Sequence, residues 1–241
     1  MVKNEQASYT IRSQIALLSK KSVKAKPARL PEPAAGARTQ GRRQRRAAET
    51  RIRLFRCALA LIAERGLPNV TVEDITEAAD VGKGTFFNYF DTKDHVLGVM
   101  AEIQIGKVKQ AAVRASEGKQ TIYVALHQLA QKLSEEPGRS PALARALIAS
   151  FLGSESVREI MKRTLLEARK TIGELIAAGQ KRGEINPRVK REKASMQFFQ
   201  SVLGTVLIWS LHETPALGTL IEDSFQHFWR SIAVSGREQE P

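Results

Sequence analysis

The side chains able to do chemistry fall into a scatter and one dense run. His95, His127, His212 and His227 stand apart, and no two have the i, i+4 spacing that would aim a pair of imidazoles at a metal from one helix face. Cys57 is the single cysteine, so it has no second thiol for an internal disulfide or a multi-cysteine zinc site. Its place inside an apolar-periodic segment suits a small packing residue better than a nucleophile. No Gly-rich phosphate loop follows a strand pattern. The expectation is therefore no enzyme, no cofactor and no metal. The dense run is Lys83-Gly84-Thr85-Phe86-Phe87-Asn88-Tyr89, trailed by Lys93. Lys83 or Asn88 could read guanine or adenine edges. Thr85 offers a hydroxyl to phosphate and a methyl to thymine, and Gly84 lets a backbone approach closely. This is the chemistry of nucleic-acid contact.

Such a run needs a short helix set steeply against another. Leu54, Phe55, Ala58, Leu61 and Ile62 recur at spacings of three and four, which places them on one stripe of a helix ending at Gly66. Thr71 is the expected N-cap of the next helix, with Asp74 in the reciprocal position of a capping box and Ile75, Ala78 and Ala79 turned inward. Asp80-Val81-Gly82 interrupts the pattern for only three residues before Lys83 to Tyr89 resumes it, a helix-turn-helix spacing. A long helix starts in Asp91-Thr92-Lys93-Asp94 and carries Val96, Leu97, Met100, Ile103 and Val108 to about Ala115. Beyond it, Ser140-Pro141, Asn186-Pro187 and Thr214-Pro215 each mark an expected helix start. Ser156 with Glu159 makes a further capping box, and Gly183 stops the segment from Val157 through Gln180. Alternating strand patterns are missing. The fold class expected is all-α with about nine helices.

The chain has 241 residues, 42% of them hydrophobic, enough to bury a sizeable core. Its net charge of +13 is concentrated: residues 1 to 56 hold 15 Lys and Arg against Glu5, Glu32 and Glu49, and so carry +12 of it. Residues 1–46, rich in Lys, Arg, Ala and Pro, read as a disordered basic arm, and residues 237–241 as a disordered tail. A block of this kind attracts nucleic acid through counterion release, and an anionic membrane surface as well; a solvated tail is the plain alternative. No apolar run approaches the ~18 residues that span a bilayer, and no cleavage-like signal follows Ile15-Ala16-Leu17-Leu18. The expectation is a cytoplasmic protein with no membrane partner.

Taken together, Thr50-Arg51 through Gly66, then Thr71, Ile75, Ala78-Ala79, Val81 to Phe90, Lys93 and Leu97 resemble the DNA-binding domain of the tetracycline-repressor (TetR) family of bacterial transcription regulators. The resemblance covers residues 47–97. It implies that Thr71, Lys83, Gly84, Thr85, Phe87, Asn88, Tyr89 and Lys93 contact double-stranded DNA, with Lys93 on a phosphate near a helix N-terminus, while Phe86 and Phe90 belong to the core. Cys57 stands where the family takes Ala. Two positions depart from the pattern. Gly82 replaces the usual Ser cap of the recognition helix, and Phe87 replaces a frequent Tyr, losing a hydroxyl for phosphate; thymine-methyl contact is its remaining role.

The resemblance further implies that residues 98–236 form a ligand-binding and dimerisation domain whose last two helices pair across a two-fold axis. Phe199, Val202, Val206, Leu220 and Phe228 are the expected homodimer contacts. Tyr123, His127, Leu147, Phe151, Met161, Leu165 and Trp209 are the expected lining of a pocket for a small lipophilic or aromatic inducer. The function implied is a ligand-responsive repressor binding a palindromic operator. The competing expectation is a nucleic-acid or anionic-surface binder driven by the basic arm alone.

Overall fold

The computed structural model describes residues 35–118 and 120–234, with side chains from residue 43 onward. Residues 1–34 of the expected arm and the expected tail at 237–241 lie outside the described residues. Nine α-helices and three short 3-10 turns make up the described chain, with no strand beyond the isolated bridge between Ile185 and Ala233. The expected all-helical class and helix number are what the structure has among those residues.

The first helix, α1, runs from Ala35 to Arg65. It begins earlier than expected, so residues 35–46 are helix and not arm; after Pro33 the sequence is dominated by Ala, Arg and Gln, all good helix formers. Leu54, Phe55, Ala58, Leu59 and Ile62 are its buried stripe. Gly66 ends it at φ 75°, a conformation glycine adopts without a Cβ penalty. After a 3-10 turn at Leu67–Asn69 comes α2 (Val72–Ala78), opened by the expected capping box. The Asp74 N–H donates to Thr71 Oγ1 at 3.1 Å, and the Thr71 N–H donates to Asp74 Oδ2 at 2.8 Å. The turn that follows is a Schellman motif: Val81 N–H reaches Thr76 O, Asp80 N–H reaches Glu77 O, and Asp80 takes the left-handed φ of 50°. That turn delivers α3 (Lys83–Phe87), one and a half turns long.

A 3-10 turn at Asp94–Val96 leads into α4 (Leu97–Ser116), followed by α5 (Ile122–Glu135), a turn at Pro137–Arg139, α6 (Pro141–Gly153), α7 (Glu155–Lys181), α8 (Arg191–His212) and α9 (Leu217–Ile232). Ser140 caps α6 as expected, its Oγ accepting from the Leu143 N–H at 3.1 Å. Three helix starts differ from expectation. The cap of α7 is Ser154, which accepts from the Val157 N–H at 3.2 Å; Ser156 lies inside the first turn. Asn186-Pro187 forms a tight turn, with the Arg188 N–H on Asn186 Oδ1, and α8 starts only at Arg191. Thr214-Pro215 likewise precedes its helix, which begins at Leu217 after Ala216. In both cases Pro marks the connection and not the first turn. Gly183 ends α7 as expected, at φ 71° in a second Schellman motif.

The apolar interior falls into two main clusters. The larger joins the second half of α4 to α5, α7, α8 and α9 around Leu126, Ile172, Phe198 and Phe225. The other holds α1, α2 and α3 together, and it also takes in Val99 and Met100 of α4, Leu143 and Leu147 of α6, and Val157 of α7. Hydrophobic contact therefore crosses the expected boundary at residues 97 and 98. By length and composition α8 could cross a membrane; here eight of its residues, including Phe198, Phe199, Val202 and Trp209, are buried in the bundle.

Because the cap of α7 is Ser154, and its hydroxyl also bonds Asp94, Ser154→Ala should cost about 1–2 kcal/mol of unfolding free energy. Ser156→Ala should stay within about 0.5 kcal/mol. Denaturant unfolding of the two variants checks the assignment.

Candidate nucleic-acid interface

The stability of α3 comes from packing, since five residues are far too few for an isolated helix. Phe86 is fully buried and Phe90 nearly so, their ring centroids 5.4 Å apart, as expected for core residues. With that side inward, Lys83, Gly84, Phe87 and Asn88 face solvent, and Thr85 and Tyr89 are half-buried. The structure thus brings these six expected residues onto one short surface element. Phe87 is 54% exposed, its ring standing edge-on to Phe86 at 5.4 Å. A rigid aromatic held in water in this way suits an apolar contact such as a thymine methyl. Gly84 has nothing within 4 Å of where a Cβ would stand, so its missing side chain serves no internal contact and leaves open ground outside.

Lys83 is not idle. Its ammonium pairs with Glu73 on α2, a residue that spacing alone did not single out. The hydrogen bond from Lys83 holds the Glu73 carboxyl below the usual carboxylate range. Both side chains are exposed, so the pair is open to exchange for another anion.

Two expected contacts are placed elsewhere. Thr71 spends its hydroxyl on the capping box, donating to Asp74 Oδ2 at 2.6 Å while accepting from the Asp74 N–H, so no proton is left for a phosphate. Lys93 turns back into the protein. Its ammonium donates to the carbonyls of Leu67, Pro68 and Val70 at 2.9, 3.1 and 2.8 Å, which uses all three of its N–H donors. It closes the turn between α1 and α2 and ties it to the start of α4. The partners lie 23 to 26 residues away in sequence, and no local pattern points to them.

The interface is joined to the rest of the chain by α4. Arg51 of α1 makes a bidentate pair with Glu102 of α4 at 2.6 and 2.7 Å, and its guanidinium stands 5.6 Å over the Phe90 ring. Asp94, just before α4, accepts from the Ser154 hydroxyl.

Behind α4 lies a cavity of about 110 Å³. Leu147, Phe151, Met161 and Leu165 line it as expected; Tyr123, His127 and Trp209 do not. The face of α5 that carries Tyr123 and His127 looks toward α9. There the two rings stack at 5.7 Å, beside Phe225, and His127 meets Glu222 at 2.5 Å. Trp209 is buried against Ala144 and Val206. Three expected dimer contacts instead face the cavity, namely Phe199, Val202 and Val206. Phe228 packs on Phe198 at 5.5 Å, and Leu220 packs beside Val206 and Trp209. The apolar side chains of α8 left in solvent are Leu203, Leu207, Ile208 and Leu211. The i, i+4 ladder of Leu203, Leu207 and Leu211 was visible in sequence, but an almost wholly apolar helix does not say which side turns inward.

The family model for bacterial regulatory proteins of the tetR family matches residues 54–100, the stretch from the buried stripe of α1 through α3 to the start of α4. A structure from Syntrophomonas wolfei, classed with the TetR-family transcriptional regulators, superimposes with a TM-score of 0.66 at 19% identity, covering 80% of this chain and 99% of that one. Residues 54–100 thus match the tetR-family model, and the chain as a whole shares the fold of these regulators. FadR of Thermus thermophilus, a TetR-family transcriptional repressor solved with lauroyl-CoA, shares the fold at a TM-score of 0.57 and 21% identity, covering 79% of this chain and 99% of that one. In sequence, the HTH-type transcriptional repressor KstR of Mycolicibacterium smegmatis is 28% identical over 108 residues, or 45% of this chain and 53% of that protein. The chain thus spans about half the length of the repressors of that name that it matches.

Since Lys93 serves three carbonyls, Lys93→Met should lower the unfolding free energy by about 2–3 kcal/mol through the carbonyls it orphans. It should leave the salt dependence of any duplex binding unchanged. Unfolding curves beside a salt titration separate this tie from a phosphate contact.

Proposed function

We propose that the protein is a ligand-responsive DNA-binding transcriptional regulator, a repressor that binds a palindromic operator as a homodimer in the cytoplasm. The observation that carries the reading is the outward surface of α3, where Lys83, Gly84, Thr85, Phe87, Asn88 and Tyr89 converge on a helix whose opposite side is locked by Phe86 and Phe90. Asn88 and Lys83 read base edges, Phe87 meets a thymine methyl, Thr85 and Tyr89 hold phosphates, and Gly84 admits the duplex backbone. Two copies set half-sites roughly 34–36 Å apart.

The exposed ladder of Leu203, Leu207 and Leu211 on α8, with Ile208 beside it, supports pairing with a second copy along that helix. The cavity supports a small lipophilic or aromatic inducer. Of its lining residues only Gln104 and Thr164 are polar and none is charged, so a ligand there gains from apolar burial and has no ion pair to make. Met100, Leu147, Phe151 and Met161 line that cavity and also belong to the apolar cluster around Phe86 and Phe90. A ligand that shifts them biases the tilt of α4 and with it the half-site spacing, which is coupling by differential affinity.

Selection of bound fragments from random DNA should return a palindrome. Asn88→Ala should then cost ~1–3 kcal/mol at particular base pairs and relax the preference there. Gly84→Ala should leave the fold intact, or stabilise it by up to about 1 kcal/mol, while weakening every duplex. A selection that returns no preferred sequence from folded protein defeats the reading. Leu207→Glu should convert dimer to monomer in sedimentation analysis, and an unchanged dimer would move the interface elsewhere.

A further inference from the structure

The outer face of α1 carries a stripe of arginines that the recognition surface does not use. Arg45, Arg46, Arg53 and Arg56 are all exposed, as is Arg43 beside them. Arg46 and Arg53 are seven residues apart and Arg45 and Arg56 eleven, that is, two and three helical turns, so they share one side of the rod. Leu54, Phe55, Ala58 and Ile62 hold the opposite side in the core. The other described arginines of α1 are committed, Arg51 to Glu102 and Arg65 to Asp74. The guanidinium groups of the stripe hold no hydrogen bond or ion pair among the described residues. Glu49 is the one acid within it.

The stripe also adjoins the helix-turn-helix. Cys57, one helical turn beyond Arg53 on the same edge, lies 3.3 Å by its Sγ from the carbonyl of Ala78, the last residue of α2 and the lip of the turn that launches α3. From there the arginines run back along α1 over about 16 Å, at 1.5 Å per residue. That is the span of four to five phosphates of one strand at about 3.4 Å each.

We propose that this face is a second duplex-contact surface, which holds the phosphates flanking the bases read by α3 without reading sequence itself. The proposal rests on the regulator reading for the position of the duplex. A membrane is the poorer partner, because an interfacial helix must lay its apolar side into lipid and the apolar side of α1 is spent on its own core. Guanidinium groups spaced along a rigid rod match a row of phosphates, and each phosphate neutralised steepens the salt dependence.

The test uses the full chain with Arg45→Gln, Arg46→Gln, Arg53→Gln and Arg56→Gln combined, circular dichroism confirming the helix. Binding to the duplex that the wild type selects is titrated with salt. Each lost phosphate contact removes roughly 0.9 from the slope of log affinity against log salt, so a loss of up to about 3.6 per bound protomer, or about 7 for the homodimer, is expected. The preferred bases stay the same, and lengthening the flanks of the duplex strengthens the wild type but not the variant. Glu49→Gln, which keeps every arginine, should instead tighten binding. An unchanged slope, or Glu49→Gln without effect, overturns the proposal; so does loss of binding to phosphatidylserine vesicles with the duplex slope intact. If the wild type selects no sequence, the regulator reading fails, while the slope on random duplex still decides the stripe.

Discussion

A helix of five residues cannot orient itself, and the whole interface depends on how α3 is held. One turn and a half of backbone hydrogen bonds does not repay nucleation, so its direction is set by the complete burial of Phe86 and the near burial of Phe90. The Schellman turn at Asp80 fixes where it starts. The Lys93 ammonium, shared among three carbonyls, fixes the turn beneath it. The exposed side chains inherit their positions from these contacts. Of the outward residues, Tyr89 packs against the buried cluster and Phe87 touches Phe86 edge-on, while Lys83, Gly84 and Asn88 stand in solvent and are free to vary in chemistry without loss of fold.

The same buried cluster reaches past the helix-turn-helix into α4, α6 and α7. Interface and cavity are therefore two faces of one packed body. Close-packed interiors transmit displacement poorly by gradual deformation and well by switching between arrangements. Arg51 with Glu102, and Ser154 with Asp94, are polar ties laid across that cluster at either side of the start of α4. They tie α1 to α4 and the start of α4 to α7, which suits the proposed route from cavity to interface.

Much of this was legible in the sequence wherever the governing contact is local. The Thr71 and Asp74 box, the stop at Gly66 and the three-residue turn all follow from neighbours within four residues, while the inward Phe86 and Phe90 came from the family resemblance. Where the contact is long-range, residue type misled. Lys93 reads as a free cation until the carbonyls of Leu67, Pro68 and Val70 are seen beneath it. Tyr123 and His127 read as pocket fixtures because α5 has two apolar sides, and only the position of α9 shows which one faces the cavity. Phe199, Val202 and Val206 read as interface for the same reason on α8. Proline was the weakest guide: at Pro187 and Pro215 it marks a connection several residues or a single residue before the helix.

The pairing of Lys83 with Glu73 has a consequence for acidity. In the free protein Lys83 keeps the Glu73 carboxyl ionised to lower pH than an ordinary glutamate. In the proposed complex, where a base edge takes the ammonium, that support is withdrawn while the phosphates of the duplex stand nearby, so the carboxyl becomes easier to protonate than in the free protein. The complex then binds protons more readily than its parts, and by linkage its affinity strengthens as the medium is acidified through the carboxylate range. An isosteric amide in place of Glu73 would remove this proton uptake, and with it the acid sensitivity of the grip.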